Sequence, residues 1–500
     1  MNPKQIDLNR RKSSAILSTT LYGLGQIPQL SRLPVEVDII EIRADLYSPN
    51  LAELRKSTSC ALLFSIKSQF EGGKFGGSNQ ERIQRLIESS TCYDLIELEG
   101  ERDLVPEVLE AIPVEKRIIS WQGKPEDDTA LMARLTHYQR IPAKYYRLVI
   151  QAQKFNDGLA VVHLLTKYES NDLITYAINQ IGVWTQVLAP FLGSPLVPSS
   201  IETNATNVYH TPQQLIEDYN LPSIYSVQKI FGIVGNPVLG CISPSLHNAA
   251  YRQLKLPYLY LPFQVDSLPH CFEALVDDEH LPFAVGGLTV VSPFKNDSLK
   301  IAGKTHNPDV TLSKHANILV NHQGWAALST DLLGAIDALH ELDSNWQQKK
   351  IAVIGCGGTG QTIAAGLKRL GVNLTLVNRT VSSGIEVASS LKVAFTPLNI
   401  FKPHFFDIII HATPFGKKTG ELPIDVTQLT HRNRVIEHVY SSDKSTGLVD
   451  YCQTHGIKVI DGKRIAKLQT RHQFKFMTGF DMKTREPIAP DTEEKQHEYI

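Results

Sequence analysis

Cysteines are few and scattered in this sequence, and long apolar runs are missing from it. The six cysteines contain no C-x-x-C pair, which argues against a disulfide framework or a zinc cluster and favours a reducing compartment. No apolar stretch approaches the roughly 18 residues of a membrane-spanning helix. The segment after Arg10, Arg11 and Lys12 is too polar for a signal peptide. We therefore expect a cytoplasmic protein with no membrane partner and no metal site.

An excess of charge of one sign is also missing. The chain has 50 Lys+Arg and 51 Asp+Glu residues, a net charge of −1, which argues against a broad nucleic-acid-binding surface. Hydrophobic residues make up 42% of the 500 residues, as in ordinary folded proteins. At roughly 150 residues per domain the length predicts about three domains. The composition leaves the oligomeric state open.

The first 200 residues alternate short apolar runs with segments long enough for helices. The runs are rich in β-branched and aromatic residues, which is typical of buried parallel strands. They lie at Ala15–Leu17, Val37–Ile42, Ala61–Ile66, Leu95–Leu98, Arg117–Trp121, Tyr145–Ile150, Leu173–Ile178 and Pro195–Val197. Eight strand–helix repeats predict an α/β fold, a (β/α)₈ barrel over residues 1–222, with a doubly wound eight-stranded sheet as the alternative.

The second half begins again with strand-like runs and then shows a stricter strand–turn–helix pattern. Strands are predicted at Lys229–Val234, Tyr258–Phe263, Phe283–Val291, Lys350–Ile354 and Asn373–Val377, and helices at Leu246–Leu254 and Gln361–Leu370. We assign residues 229–330 to a substrate-binding domain and residues 331–461 to a Rossmann-like domain. Residues 462–480 are expected to pack back on the substrate-binding domain, and the charged tail from Lys483 is expected to be mobile.

A glycine-rich turn lies between the strand at 350 and the following helix. Its glycines let the backbone approach a pyrophosphate, which the free N–H groups of a helix start stabilise; they are Gly355, Gly357, Gly358 and Gly360. The next strand ends in Asn378-Arg379-Thr380, where NAD-binding sites usually carry an acidic residue. Because arginine pairs with a 2′-phosphate, NADP is the predicted cofactor. A turn without a ligand and a solvated arginine are the alternatives.

Further motifs follow one another in a recognisable order over residues 229–480. They are S-P-S-L-H-N from Ser243, G-L-T-V-V-S-P-F-K ending at Lys295, Ala316-Asn317, Ser329-Thr330-Asp331, the glycine turn, Asn378-Arg379-Thr380, A-T-P-F-G with Thr413, Val439-Tyr440, and Gly462 with Gln469. This part of the chain resembles the shikimate dehydrogenases. The resemblance implies NADP-dependent interconversion of 3-dehydroshikimate and shikimate, a small-molecule substrate.

The resemblance also implies roles for single residues. Lys295 and Asp331 would be catalytic, because reduction of a ketone needs a proton donor beside the developing alkoxide. Substrate contacts are implied for Ser243, Ser245, Asn317, Tyr440 and Gln469, and cofactor contacts for Asn378, Arg379, Thr380, Thr413 and Gly462. The plain alternatives are a helix-capping role for Ser243, Ser245 or Asp331 and a solvated position for Lys295 or Gln469.

This half departs from the family pattern at several positions. The family usually has N-V-T-x-P-x-K, whereas this chain has Thr289 in place of the asparagine and Val291 in place of the threonine. Ser329 replaces the asparagine of N-T-D, and His411 replaces the asparagine before A-T-P. The loss of a hydroxyl can weaken substrate binding by about 1 kcal/mol. A quinate dehydrogenase therefore stays open as an alternative.

The first half resembles the type I 3-dehydroquinate dehydratases. The resemblance rests on E-I-R-A-D, which contains Glu41 and Arg43, on E-G-G from Glu71, and on D-L-I-E-L, which contains Glu97. The whole chain therefore resembles a bifunctional dehydratase/dehydrogenase fusion.

The residues that dehydratase chemistry needs are replaced, however. That reaction uses a lysine that forms an imine and a histidine that moves protons. Arg147 stands in the lysine position, Gln122 replaces the histidine, and Lys67 replaces an arginine. Because arginine stays protonated and cannot form the imine, we expect the barrel to lack the activity. Lys67 or Lys144 acting instead would keep the chain bifunctional, and degeneracy of both halves would make it a non-catalytic scaffold.

Overall fold

The computed structural model describes residues 13–202, 209–303, 307–418, 420–440 and 444–482. The chain divides into two compact units. The first runs through Lys229 and includes Pro257–Asp266 and His270–Ala284, and the second comprises Ile230–Leu256, Ser267–Pro269 and the chain from Val285 onward. The tail from Lys483 and the basic residues 10–12 lie outside the described residues. None of the described helices combines the length and the apolar character that crossing a bilayer requires.

The first unit contains a barrel of eight parallel strands. They are β1 Ile16–Leu21, β2 Val37–Arg43, β3 Ala61–Ser65, β4 Leu95–Glu99, β5 Arg117–Gly123, β6 Tyr145–Gln151, β7 Leu173–Ile178 and β8 Leu196–Ser200. The strand order is β7-β6-β5-β4-β3-β2-β1-β8, so β1 lies between β2 and β8 and the sheet is nearly closed. Because strands consecutive in sequence are neighbours almost all the way round, the predicted barrel is confirmed and the doubly wound sheet is wrong.

Helices of the first unit follow the strands, and the strand pattern decides which residues face the barrel interior. The helices are α1 Leu51–Ser57, α2 Asn79–Ser89, α3 Pro106–Ala111, α4 Asp128–Tyr138, α5 Phe155–Lys167, α6 Val183–Leu188 and α7 Pro212–Tyr219. Ile39 belongs to a cluster drawn from strands all round the barrel, whereas Ile40 packs with helix residues such as Leu54. Side chains alternate along a strand, so Glu41 lies on the same, interior face as Ile39.

The chain continues with a mixture of strands and helices up to residue 342. These are β9 Lys229–Gly235, α8 Ser243–Leu254, β10 Tyr258–Gln264, α9 Leu268–Val276, β11 Ala284–Val290, α10 Lys295–Ala302, α11 Pro308–Ser313, β12 Ile318–Asn321, β13 Trp325–Leu328 and α12 Asp331–Leu342. In the second unit β9, β11, β12 and β13 are neighbours in that order, with β11, β12 and β13 antiparallel. Helix α8 begins three residues before its predicted start, which places Ser243 and Ser245 in its first turn.

The remainder of the second unit is a Rossmann-like domain, as predicted. It consists of β14 Lys350–Ile354, α13 Gly358–Arg369, β15 Asn373–Asn378, α14 Val381–Leu391, β16 Ala394–Pro397, β17 Ile408–His411, β18 Arg434–Glu437, α15 Gly447–Thr454, β19 Lys458–Ile460 and α16 Gly462–Thr478. The parallel strands lie in the order β16-β15-β14-β17-β18-β19. The order reverses beside β14, and such a reversal opens a crevice at the carboxyl ends of the strands. Helix α16 packs back on α8 through Phe474, whose ring lies 5.4 Å from that of Tyr251.

Candidate active site

A lysine and an aspartate from two helix starts form an ion pair in the second unit. Lys295 is the first residue of α10, and Asp331 is the first residue of α12. The Lys295 Nζ donates to Asp331 Oδ2 over 2.6 Å and to the Thr359 hydroxyl over 2.8 Å. The Asp331 side chain is 3% exposed and the Lys295 side chain 13% exposed. The ammonium group therefore has a fixed position and keeps some access to solvent.

Two amides hold the other oxygen of Asp331. Asn317 Nδ2 and Gln469 Nε2 each donate to Asp331 Oδ1 over 3.1 Å. Asn317 is oriented in turn by the Thr330 backbone N–H, which donates to its Oδ1 over 2.8 Å. The structure thus brings together four of the predicted site residues, Lys295, Asn317, Asp331 and Gln469, although Gln469 lies 138 positions from Asp331 in the sequence.

The plain alternatives for these residues are wrong. The N-cap of α12 is Thr330, not Asp331, and the N-cap of α8 is Ile242, so Ser243 and Ser245 do not cap the helix. Lys295 is mostly buried, and Gln469 is bonded to Asp331.

Tyr440 lies beside the start of α8. Its hydroxyl interacts with the Cys241 thiol and the Ile242 backbone, and burial raises its pKa. Ser243 is buried, and Ser245 is half-buried in the same helix turn. A tyrosine and two serines therefore lie close together at the start of α8. Their hydroxyl groups can donate hydrogen bonds to the carboxylate of a ligand.

The glycine turn has the shape of a phosphate-binding loop. Gly355 has a φ of +111°, and a methyl group there would lie 2.7 Å from Thr413 Cγ2 and 3.0 Å from the Ala412 carbonyl oxygen. A methyl group at Gly360 would collide with the Gly355 carbonyl oxygen, whereas at Gly357 it would meet no described atom within 4 Å. Gly357 is the N-cap of α13, so open backbone N–H groups face this space. These residues fit the pyrophosphate of a dinucleotide.

The end of β15 lies beside this turn. The Gly355 backbone N–H donates to the Val377 carbonyl over 2.8 Å, which places residues 378–380 at the same sheet edge. Asn378 Nδ2 donates to the Thr380 carbonyl over 2.9 Å and braces the turn into α14. Arg379 is exposed, so its guanidinium is accessible to a phosphate.

Two further residues predicted to touch the cofactor, Thr413 and Gly462, lie just beyond the ends of β17 and β19 in the same sheet. Thr413 follows β17 and packs on Gly355. Gly462 begins α16, and a methyl group there would collide with the Val439 carbonyl oxygen. Glycine is therefore required because the backbone of residue 462 lies close to the chain that follows β18. The sequence reasoning missed Thr359, which bonds Lys295; a hydroxyl residue within an otherwise glycine-rich turn was the signal.

The barrel contains a second group of charged residues, which lie on its strands or, for Lys67, just beyond the end of β3. Lys67 Nζ donates to Glu97 Oε1 over 2.8 Å. Arg147 donates to Glu41 Oε2 over 3.0 Å and, from Nη2, to the Tyr176 hydroxyl over 2.5 Å. Burial by itself lowers the pKa of Lys67, but the carboxylates beside it raise that pKa above its ordinary value. Each cation therefore has a carboxylate partner, and the Lys67 amine stays protonated.

The space among these side chains is small. Gln122 and Arg43 also line the cavity, whose volume is about 30 Å³, enough for one or two water molecules. Arg43 is held outside the centre by two hydrogen bonds of 2.8 Å to Asp45. Lys144 precedes β6 and is separate from this group, because its backbone N–H donates to the Arg117 carbonyl near the opposite, amino end of the strands. Arg147 thus occupies the barrel centre.

Three family models match the chain in order along its length. Residues 24–226 match the model of type I 3-dehydroquinase. Residues 233–316 match the shikimate dehydrogenase substrate binding domain, and residues 337–419 match shikimate / quinate 5-dehydrogenase. The first match covers seven of the eight barrel strands, β2 to β8, and the other two include Lys295 and the glycine turn.

Known proteins resemble either the second half or most of the chain. The shikimate dehydrogenase (NADP(+)) of Methanocella arvoryzae is 30% identical over 257 residues, 50% of this chain and 93% of that protein. The chloroplastic bifunctional 3-dehydroquinate dehydratase/shikimate dehydrogenase of Arabidopsis thaliana is 24% identical over 478 residues, 88% of this chain and 78% of the relative. The solved dehydroquinate dehydratase and shikimate dehydrogenase from S. pombe AroM is 19% identical with a TM-score of 0.42, covering 95% of this chain and 97% of that one.

Proposed function

Since the chain belongs to the shikimate dehydrogenase family, fused to a type I 3-dehydroquinase domain, we propose that its second half interconverts 3-dehydroshikimate and shikimate. The Lys295–Asp331 pair supports this most directly, because an ammonium group is held 2.6 Å from a buried carboxylate at the edge of the glycine turn. A quinate dehydrogenase is the second candidate, supported by the match of residues 337–419 to a shikimate / quinate model.

Reduction of the ketone adds a hydride to carbon and a proton to oxygen. NADP is the cofactor, and when bound it supplies the hydride. Lys295 donates the proton from Nζ to the developing alkoxide, and Asp331 keeps the ammonium group oriented toward it. Asn317 and Gln469, which share Asp331 Oδ1, would bond the ring hydroxyls, and Ser243, Ser245 and Tyr440 would bind the carboxylate.

The cofactor contacts follow from the same sheet edge. Gly355, Gly357, Gly358 and Gly360 form the turn that would hold the pyrophosphate. Arg379, with Asn378 and Thr380 beside it, would hold the 2′-phosphate by a charge-assisted pair. Thr413 and Gly462 complete the proposed contacts just beyond the ends of β17 and β19.

NADP⁺-dependent oxidation of shikimate and of quinate, measured side by side, tests this function. We expect NADPH formation with shikimate, and a Lys295→Ala variant that loses about 10²- to 10⁴-fold in kcat. Lys300→Ala is the matched control, because Lys300 lies on the same helix with its side chain 77% exposed. Turnover of quinate alone would favour the second candidate. No turnover of either substrate would contradict both and favour a scaffold.

We further infer that the barrel does not form the dehydratase imine. The imine needs an uncharged amine in reach of a ketone, whereas Lys67 is paired with Glu97 and Arg147 fills the centre. The ion-paired side chains of Lys67 and Arg147 also crowd the cavity that they line.

Borohydride trapping tests the inference on the barrel. The chain is incubated with 3-dehydroquinate and borohydride and then weighed by mass spectrometry. We expect no adduct, while a type I dehydratase treated alongside gains one. An adduct on this chain would contradict the inference, and peptide mapping would show whether Lys67 or Lys144 carries it.

We also propose that different parts of the second half bind the substrate and the cofactor. Residues 229–330, with 462–480, would bind the substrate and residues 331–461 the cofactor.

A cytoplasmic location agrees with the six cysteines, all of which are free thiols.

A further inference from the structure

A buried hydrogen-bonded chain joins two neighbouring strand ends behind the glycine turn. His411 ends β17 and Glu437 ends β18, and the two are register partners in the parallel sheet. His411 Nδ1 lies 2.8 Å from Glu437 Oε1, and His411 Nε2 lies 2.5 Å from the Thr413 hydroxyl. Both the histidine and the glutamate are fully buried. Thr413, by contrast, is half-buried and packs on Gly355.

The partners of each atom decide where the hydrogen atoms lie. Glu437 Oε1 also accepts from the Val439 backbone N–H over 2.8 Å, so it is an acceptor and His411 Nδ1 carries the proton. In the tautomer protonated at Nδ1 alone, Nε2 has only a lone pair, and the Thr413 hydroxyl donates to it. The Phe415 backbone N–H donates to the same hydroxyl over 3.2 Å. One lone pair of the Thr413 oxygen is then left for a ligand.

We propose that His411 is a positioning residue for the cofactor: held by Glu437, it fixes the Thr413 hydroxyl as a hydrogen-bond acceptor just beyond β17, beside the glycine turn on which the Thr413 methyl group packs. An acceptor there selects a donor group of the dinucleotide, a ribose hydroxyl or the carboxamide N–H₂, and not a phosphate oxygen. The inference rests on the proposed function, because it takes NADP as the ligand. It explains why a ring with two nitrogens stands where the family has asparagine, since the ring can bond Glu437 and Thr413 together.

Three substitutions test the two hydrogen bonds of His411 separately, the one to Glu437 and the one to Thr413. Thr413→Val removes the hydroxyl with little change in shape. His411→Asn keeps a group near the position of Nδ1 and loses the bond to Thr413, whereas His411→Gln reaches toward Thr413 and loses Glu437. Binding of NADP⁺ to the full-length variants is measured by titration calorimetry without substrate, and thermal melting shows that each variant is folded.

We expect Thr413→Val and His411→Asn each to raise the Kd for NADP⁺ about five-fold, the cost of one hydrogen bond. The double variant should bind no more weakly than Thr413→Val alone, and His411→Gln, which loses the bond to Glu437, should also raise the Kd. A second titration with 2′-phospho-ADP-ribose, which lacks the carboxamide, locates the donor. A Thr413→Val effect that persists there assigns the ribose, and one that vanishes assigns the carboxamide.

Wild-type affinity in His411→Asn, or an unchanged Kd in Thr413→Val, would overturn the proposal while the dehydrogenase function stood. Nitrogen-15 NMR of the unmutated chain gives a test that no folding defect can affect. The proposal requires a neutral His411 ring protonated at Nδ1, and a doubly protonated ring would overturn it. A parent chain that neither binds NADP⁺ nor oxidises shikimate would instead remove the proposed function itself.

Discussion

At the scale of single residues, the barrel contains a buried carboxyl group, that of Glu71, whose ionised form is destabilised by the loss of water. Burial raises the pKa of Glu71 from its ordinary 4.5 to about 8. Between these two pH values the folded chain keeps a proton that the unfolded chain has released. The free energy of unfolding therefore falls as the pH rises through that range. Glu71 is thus a source of instability at neutral pH that its position beside Lys67 only partly offsets.

Glu71→Gln should stabilise the chain, and more so at pH 8 than at pH 5. Glutamine keeps an oxygen that can accept from the Gln122 backbone N–H, now 3.1 Å from Glu71 Oε2, but it has no charge to bury. We expect a gain in the free energy of unfolding on the order of 2–4 kcal/mol at pH 8 and little at pH 5, measured by urea unfolding. Glu88→Gln, at an exposed position on α2, is the control. A gain in the free energy of unfolding that does not depend on pH would contradict the raised pKa of Glu71.

At the scale of elements, the long strands were predictable from sequence and the short ones were not. β7 and β14 have the predicted bounds because their apolar runs are continuous. The four-residue strands β12 and β13 escaped prediction because so few residues carry no periodicity, and their hairpin forms only against β11. Helix α13 begins three residues earlier than predicted, since glycines that read as loop residues are part of its first turn.

The candidate site, like the strands, was only partly predictable from the sequence. Motif order suggested that Lys295, Asp331 and Gln469 share one site, but not which atoms meet. Only the packing of α16 on α12 places Gln469 beside Asp331, 138 positions away. The bonds of Thr359 and His411 were not predictable, because each depends on the distance between neighbouring strand ends or helix starts.

The strand–turn–helix element β14–α13 predicts different outcomes for two of its glycines. Gly360→Ala should lower the melting temperature, because the added methyl group would collide with the Gly355 carbonyl oxygen. Gly357→Ala should leave the melting temperature unchanged, since its φ of −78° suits alanine and no described atom lies within 4 Å of the added carbon. It should nevertheless raise the Kd for NADP⁺, because the methyl group blocks the approach of a pyrophosphate. Equal losses of stability in both variants would contradict this reading of the turn.

At the scale of the whole molecule, one family model matches most of the barrel and two match the second half, so the chain resembles enzymes of two different reactions. The barrel has eight parallel strands and a buried network of charges, and Arg147 and Gln122 stand where the sequence motifs predict the imine-forming lysine and the histidine. The second half has kept the Lys295–Asp331 pair and the glycine turn. The proposals on the two units together predict that the intact chain acts on 3-dehydroshikimate and not on 3-dehydroquinate.

A coupled assay on the intact chain tests this asymmetry. With NADPH present, 3-dehydroshikimate should be reduced and the absorbance of NADPH should fall, whereas 3-dehydroquinate should give no change. Adding a separate, active type I dehydratase should start NADPH consumption from 3-dehydroquinate, because only the missing step is then supplied. If the chain alone consumed NADPH from 3-dehydroquinate, the barrel would be active despite Arg147. The salt-bridged centre would then have to open for substrate, since the ion pairs of Lys67 and Arg147 cannot persist around a bound ring.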